Sequence, residues 1–313
     1  MPHSPSDTRQ QQRRRLLAMA GNALVAAPAL SLLGCAVKPT AAASETGATD
    51  WASGGTAKIG NAGRFPDPFS ANLAGACVLT CMTTIGPCHA SSPERIDVSD
   101  GWDGLPLRLA LRVVDAACKP VQDAIVEIWH TNHTGGYSGR IARMCTNNQD
   151  DLDKQFFRGY QRTDAQGRVN FDTCYLGWYR GRAVHIHLRV MKGPYVADDG
   201  ATSAVTTQLL FTDALNRQIF SRQPLYAPYG EPDTDLAEDG VIGAETDKTP
   251  YLFEVRRMDD GVMFASKTLV IRDSDTAEVC EAKGIMPPGG PGGPPPNGMG
   301  PPDGSPPPRR SGD

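Results

Sequence analysis

The stretch 177–190 reads GWYRGRAVHIHLRV, and its reading decides how the rest of the chain is understood. The chain has six histidines, and two of them, His185 and His187, stand here one residue apart. Successive residues of a strand point to opposite faces. Val184, Ile186, Leu188 and Val190 therefore line a core-facing side. His185 and His187 share the other side, with Cβ atoms roughly 6.5–7 Å apart. Two imidazoles placed this way can grip one transition-metal ion, or they can be a surface pair that alternates with core residues. The His-X-His pattern alone leaves both readings open.

Other runs with a period of two surround this one. Residues 105–115, LPLRLALRVVD, put Leu107, Leu109, Leu111 and Val113 on one face. AIVEIWH (124–130), GRVNFDTCYL (167–176, after the turn TDAQG) and TTQLLFTD (206–213) continue the pattern. YLFEVRRMDDGVMFASKTLVIR (251–272) reads as a hairpin around Asp259, Asp260 and Gly261. ALNRQIFS (214–221) reads as a short helix. Many short strands joined by polar turns predict an all-β fold, an antiparallel β-sandwich. Its long loops at 138–157 and 221–248 are candidates for active-site walls.

The ends differ from this middle. Residues 13–35, RRRLLAMAGNALVAAPALSLLGC, place arginines before an apolar run that ends in Leu-Leu-Gly-Cys. That is the layout of an export signal, and Gly21, Asn22 and Pro28 interrupt the roughly 20 unbroken apolar residues that a membrane span needs. The arginine cluster also permits a twin-arginine route. Leu-Leu-Gly-Cys resembles a lipobox, which would make Cys35 the site of a lipid and of membrane attachment; an ordinary cleaved signal or an inner-membrane anchor is the plainer reading of the same run. Residues 36–70, rich in Ala, Gly, Ser and Thr, read as a flexible tether. Residues 284–313 are largely Pro and Gly and read as a disordered tail. One domain is left at 71–283. A net charge of -4 offers no nucleic-acid footprint.

Eight cysteines suit an exported protein. Setting Cys35 aside leaves Cys77, Cys81, Cys88, Cys118, Cys145, Cys174 and Cys280, an odd number with at least one free or paired between chains. Cys77, Cys81 and Cys88 could form a metal cluster, but their spacing matches no common zinc pattern, and disulfides are the favoured use.

Tyrosine sharpens the meaning of the histidine pair. Tyr179 lies in the turn entering the strand, with Arg182 between it and His185. Tyr137 follows the strand VEIW in the glycine-rich turn HTNHTGGYSG. A phenol with a pKa near 10 becomes a ligand only beside a strong Lewis acid. Two phenolates and two imidazoles suit hard Fe(III) better than zinc or Cu(I). Each tyrosine taken alone reads as an ordinary packing residue.

GLPLRLALRVVDAACKPVQDAIVEIWHTNHTGGYSG (104–139), FRGYQRTDAQGRVNFDTCYLGWYRGRAVHIHLRV (157–190) and TTQLLF (206–211) together resemble the intradiol ring-cleavage dioxygenases, the family of catechol 1,2-dioxygenase and protocatechuate 3,4-dioxygenase. The resemblance extends from CVLT at 77–80 to the closing strand at 267–272, and it is closest to the exported, single-domain branch. It implies a non-heme Fe(III) held by Tyr137, Tyr179, His185 and His187. It implies an active-site arginine at Arg182, a substrate-positioning glutamine at Gln208, and Tyr179 as the tyrosine that takes a substrate proton. The implied reaction opens an ortho-diphenol between its two hydroxylated carbons, with both atoms of O2 entering a muconate-type diacid. The implied partners are a small aromatic diphenol and O2.

Two departures stand out. The turn from Tyr179 to His185 is short, which makes Tyr175 a rival for the second tyrosine. The family's Thr-Glu-Gly-Pro-Tyr/Phe segment, which helps line the substrate pocket, is TIGPCH at 84–89, so Cys88 replaces an aromatic ring. His89 beside it could be an added polar group in the pocket, but reads first as a surface residue. Two other functions compete: an exported copper- or zinc-binding sandwich of superoxide-dismutase type, using His185 and His187 with His130 or His133, and a non-catalytic binding module on the same fold.

Overall fold

The structure is a computed structural model and describes residues 50–70, 77–139, 143–197, 203–272 and 279–285. The export signal, Cys35 and the Pro/Gly-rich tail from 286 onward lie outside the described residues. No described helix is long and apolar enough to cross a membrane.

Eight strands and one α-helix are present among the described residues. In chain order they are β1 (Pro106–Val114), β2 (Ile125–Trp129), β3 (Arg158–Arg162), β4 (Arg168–Cys174), β5 (His185–Met191), β6 (Val205–Leu210), α1 (Asp213–Arg222), β7 (Glu254–Arg257) and β8 (Met263–Val270). They form two four-stranded sheets, ordered β4-β1-β8-β7 and β3-β2-β5-β6. The sandwich is antiparallel except where β8 runs parallel to β1, Leu107 opposite Met263.

The alternation sets the core. Leu107, Leu109, Leu111 and Val113 of the first sheet meet Val126, Ile128, Ile186, Leu188, Val190 and Leu209 of the second, all fully buried. Two sheets that each hide one apolar face need only this contact to exclude water. The hairpin turn is where the pattern put it, with the Met258 N–H donating to the Val262 carbonyl at 2.9 Å. Helix α1 begins at Thr212, whose hydroxyl accepts the Leu215 N–H. β3 is a strand that the alternation did not reveal.

Residues 50–70 are not a tether. Ala52 donates to Gly261 and Gly55 to Gly104, each at 2.9 Å. Ile59 is buried, Trp51 packs against the core, and the Phe65 ring lies 5.3 Å from Phe264. A few large apolar anchors outweigh the Gly- and Ala-rich composition between them.

Three disulfides pair Cys77 with Cys118, Cys81 with Cys280, and Cys88 with Cys145. Cys174 is free and buried, and burial pushes its thiol far above the ordinary range. The expected odd cysteine is therefore a packing residue within the chain.

Candidate active site

The outward face of the second sheet carries Glu127, Trp129, His185, His187, Arg189 and Gln208. The register places Trp129 opposite His187, and His187 opposite Gln208. This face is not exposed: both sides of β5 are buried. The segment before β1 covers it, held where Thr83 N–H donates to the Thr206 carbonyl at 2.8 Å. Gly86 sits at φ +73°, and a Cβ there would come within 3.2 Å of the His187 ring, so glycine lets the backbone pass directly over the imidazole.

The loop after β2 brings in the first tyrosine. The Asn132 carboxamide oxygen accepts the N–H groups of Thr134 and Gly136 and closes the turn. At Gly135, φ is +84° and a Cβ would lie 2.3 Å from the Trp178 carbonyl. That close approach seats the loop against the turn carrying Tyr179. The Tyr137 and Tyr179 ring centres are 6.0 Å apart, and Tyr137 lies 6.1 Å from His187. The Tyr179 hydroxyl is 3.1 Å from His185 Nε2, which is 3.2 Å from His187 Nε2. Trp129 stacks flat on His187, 4.9 Å between centres. The structure thus brings together all four residues singled out as a ligand set.

Charge in this space is tightly constrained. Burial, then the Arg182 charge, lowers His185 to a pKa of about 3. Burial and the neighbouring His185 hold His187 well below its ordinary value. Both rings are therefore neutral. His185 Nδ1 faces the Ala183 carbonyl at 2.7 Å. A carbonyl only accepts, so Nδ1 carries the proton and Nε2 presents a lone pair. Burial raises both phenols, with Tyr179's charge adding to the rise at Tyr137 and Arg182 opposing it at Tyr179. The Tyr137 hydroxyl is buried with no hydrogen-bond partner. An orphaned buried hydroxyl is costly, and here it belongs to a residue ringed by nitrogen lone pairs and a second phenol. This donor set fits a hard trivalent cation: two neutral nitrogens, and two phenols that only a strong Lewis acid would deprotonate.

Arg182 stands at the rim of the cluster. Its Nε donates to Asp239 Oδ2 at 3.0 Å, and its Nη2 forms a short hydrogen bond to the Gln208 side-chain oxygen. Gln208 Nε2 donates in turn to the Thr84 carbonyl at 2.9 Å. Burial opposes the Arg182 charge, but Tyr179 and Asp239 outweigh it and raise the pKa.

The sequence did not single out Asp239, Glu127 or Arg158. Glu127 is completely buried and accepts from Arg189 Nη2 at 2.7 Å, Ser92 Oγ at 2.7 Å and Tyr195 at 2.9 Å. Arg158 is buried beside the Tyr137 ring and donates to the Ser138 and Cys88 carbonyls. The available signal was the register: Glu127 and Arg189 share the face of His187, opposite each other.

Some expectations change. His89 is not a surface residue: it is 7% exposed, its Nε2 is 3.2 Å from Glu127, and it meets the edge of Trp129. Tyr175 is buried elsewhere, with its hydroxyl on Asn216. Cys88 packs with Ile85, Trp129, Tyr137 and Tyr179, so a disulfide stands where an aromatic ring was missed. His130 Nε2 lies 2.8 Å from Thr173 Oγ1, and His133 meets Trp102 and Tyr226. Among the described residues, no group of three or more His, Cys, Asp or Glu could hold a metal. That removes the zinc cluster of Cys77, Cys81 and Cys88, and it leaves the copper/zinc sandwich without its third ligand.

Comparison with known proteins agrees. A family model described as "Dioxygenase" matches residues 86–217. The solved structure of an intradiol ring-cleavage dioxygenase from Tetranychus urticae aligns with a TM-score of 0.53 at 25% identity, over 63% of this chain and 95% of that one. The crystal structure of the dioxygenase Tetur07g02040 gives 0.51 at 25% identity, with the same coverage. No curated protein matches. Match, fold and motif define the class: this chain is a dioxygenase, an oxygen-incorporating oxidoreductase. Over residues 86–217 and across the sandwich it is similar to the intradiol ring-cleavage dioxygenases.

Proposed function

We propose that the protein is a non-heme Fe(III) enzyme that opens an ortho-diphenol between its two hydroxylated carbons, giving a muconate-type diacid with both atoms of O2. The observation that carries this is the convergence on His185 Nε2 of the Tyr179 hydroxyl at 3.1 Å and His187 Nε2 at 3.2 Å, beside the unpartnered Tyr137 hydroxyl. Tyr137, Tyr179, His185 and His187 would hold the iron. When bound, ferric iron supplies Lewis acidity that draws electron density from the diphenolate and prepares the ring for O2.

The remaining chemistry belongs to side chains. Tyr179 Oη, beside His185 Nε2, would receive a substrate hydroxyl proton. Arg182, cationic at every working pH, stabilises the electron-rich ring and the oxyanion that follows. Gln208 orients the substrate, since its amide is fixed between Arg182 and Thr84. The covering segment 84–89 and Trp129 exclude water from the histidine face.

The disulfides bear on the setting. Three disulfides in one chain fit an oxidising compartment, so we place the enzyme in the cell envelope, attached by a lipid on Cys35. The test of function is an oxygen-electrode panel of catechols on iron-loaded protein, with metal analysis. One iron per chain, visible absorbance and O2 uptake that depends on the diphenol are expected. Copper or zinc in place of iron, or bound iron with no O2 uptake on any diphenol, would overturn the proposal.

A further inference from the structure

Asp239 is a fully buried carboxylate in the loop after α1, 57 residues from the arginine it meets. Four donors converge on it. Oδ1 accepts the N–H groups of Val241 at 2.9 Å and Ile242 at 3.1 Å. Oδ2 accepts Arg182 Nε at 3.0 Å and the Ala183 N–H at 2.9 Å. The two backbone bonds on Oδ1 fix the carboxylate to its own loop, so its orientation does not depend on Arg182. Burial works against its charge, and the Arg182 guanidinium outweighs that and lowers its pKa.

We infer that Asp239 is the positioning residue that aims Arg182 across the metal-ligand cluster. This assignment rests on the function proposed above. An arginine side chain has many rotamers, and its planar fork is useful only when its direction is set. Here Nε is tied to Asp239 and Nη2 to Gln208, so the guanidinium plane is held at two corners. The remaining N–H groups are left for the Tyr179 side, where the Arg182 charge already acts on the phenol.

The same carboxylate oxygen does a second task. It holds the peptide N–H of Ala183, whose carbonyl receives His185 Nδ1–H at 2.7 Å. One buried anion thus fixes the direction of the cation and the backbone that sets the tautomer of a ligand. A hydrogen-bonded chain runs from Ile242 through Asp239, Arg182 and Gln208 to Thr84 in the covering segment. The loop at 236–243 is thereby coupled to the wall over His187.

A double-mutant cycle tests this, using wild type, Asp239→Asn, Arg182→Ala and the double variant, each iron-loaded, with steady-state kinetics on one diphenol. Loss of an oriented cation predicts a fall of about 10²–10³-fold in kcat for Arg182→Ala. Asp239→Asn should lower kcat by about 10–100-fold, as disturbing an outer-shell partner does, with KM little changed. In the Arg182→Ala background, Asp239→Asn should cost clearly less than it does in wild type, the remainder reporting its hold on the Ala183 N–H. A second readout needs no iron: the Arg182 Nε–H resonance of the metal-free protein, assigned by its loss in Arg182→Ala. It should move to a free-guanidinium position in Asp239→Asn while the backbone amide spectrum, apart from Ala183, Val241, Ile242 and their neighbours, stays in place. If Asp239→Asn does not fold, Asp239→Glu keeps the charge, displaces it by one methylene and runs through the same cycle. Equal losses in kcat with and without Arg182, or an unmoved Nε–H resonance, would overturn the assignment. Undiminished turnover in Arg182→Ala would instead overturn the reading of the site, while the resonance still decides the clamp.

Discussion

The two sheets obey the same alternation, yet their outward faces serve opposite ends. On the first sheet, Arg108, Arg112 and Asp172 look outward, and the segment 62–69 lies over them with Phe65 and Phe69 against the guanidinium groups. Arg112 and Asp172 keep partial contact with water, and the pairing is simple, as Arg108 with Asp172. On the second sheet, Glu127, Arg189, His185, His187 and Gln208 also look outward, but all are buried. Burying polar groups is costly unless every one is satisfied. The second sheet meets most of that cost with a connected network, and leaves the Tyr137 hydroxyl, His187 Nδ1 and Trp129 Nε1 without partners. A buried polar face whose unmet groups gather around the histidine pair marks where chemistry is done. A half-wet face with satisfied pairs marks a support.

The largest expected effect separates the faces outright. His185→Ala and Tyr179→Phe each remove a proposed ligand and should abolish visible absorbance and diphenol-dependent O2 uptake. The loss should exceed the roughly 10–100-fold that disturbing an outer-shell partner costs. Arg108→Ala on the first sheet should leave turnover per iron unchanged. Equal losses on both faces, or full turnover in both ligand variants, would erase the distinction.

Much of this contrast was legible beforehand. The runs at 105–115 and 184–190 fixed the inward residues, and His185, His187, Tyr137 and Tyr179 announced themselves by type and spacing. What stayed hidden depends on contacts between distant segments. The parallel pairing of β8 with β1 leaves no local trace, because periodicity reports a strand's faces and not its neighbour. β3 was missed because FRGYQR carries arginines, one of them Arg158, whose burial rests on carbonyls from 88 and 138. Asp239 lay in the stretch DTDLAEDG, where several acids look equally solvated. Only the turn that offers it the N–H groups of Val241 and Ile242 selects one of them. His89 was read as exposed because nothing local revealed that Glu127 would stand opposite it.

Stability gives the next comparison. Glu127→Gln removes the charge facing Arg189 and leaves a buried guanidinium without its counterion. Breaking such a pair costs about 3–5 kcal/mol, read by urea unfolding. Burial opposes the Glu127 charge, but His89 and Arg189 outweigh it and hold its pKa below the ordinary 4.5. Its contribution is therefore complete above that value and is lost as the pH falls through the depressed folded pKa. A loss under about 1 kcal/mol would mean that the buried network does not hold this face together.

Acid should expose a second penalty behind the site. Burial lowers His130 and His133 from the ordinary 6.5 to about 4. Because the folded values are depressed, the unfolded chain binds these protons first. Stability is unaffected above pH 6.5, falls as the pH drops below it, and reaches the full penalty near pH 4. The shift corresponds to roughly 3 kcal/mol for each histidine. His130→Gln should flatten this part of the stability profile measured by thermal unfolding between pH 7 and 4. An unchanged slope would show that His130 is hydrated in the native state.

The smallest effect belongs to the pair that ties the segment 62–69 to the first sheet's hairpin. Arg64 Nη2 lies 2.6 Å from Asp260 Oδ2, with side chains 32% and 46% exposed. Pairs of this kind contribute about 0–1 kcal/mol. Asp260→Asn keeps an oxygen for the Val262 N–H and removes only the charge, so its cost should stay under about 1 kcal/mol. That cost should also fade in 1 M salt, where the screening length is about 3 Å. Glu127→Gln should keep its full cost in the same salt, because water and ions do not reach the Arg189 pair. If salt relieved both variants equally, the second face would be as wet as the first, and the argument that its burial makes room for catalysis would fail.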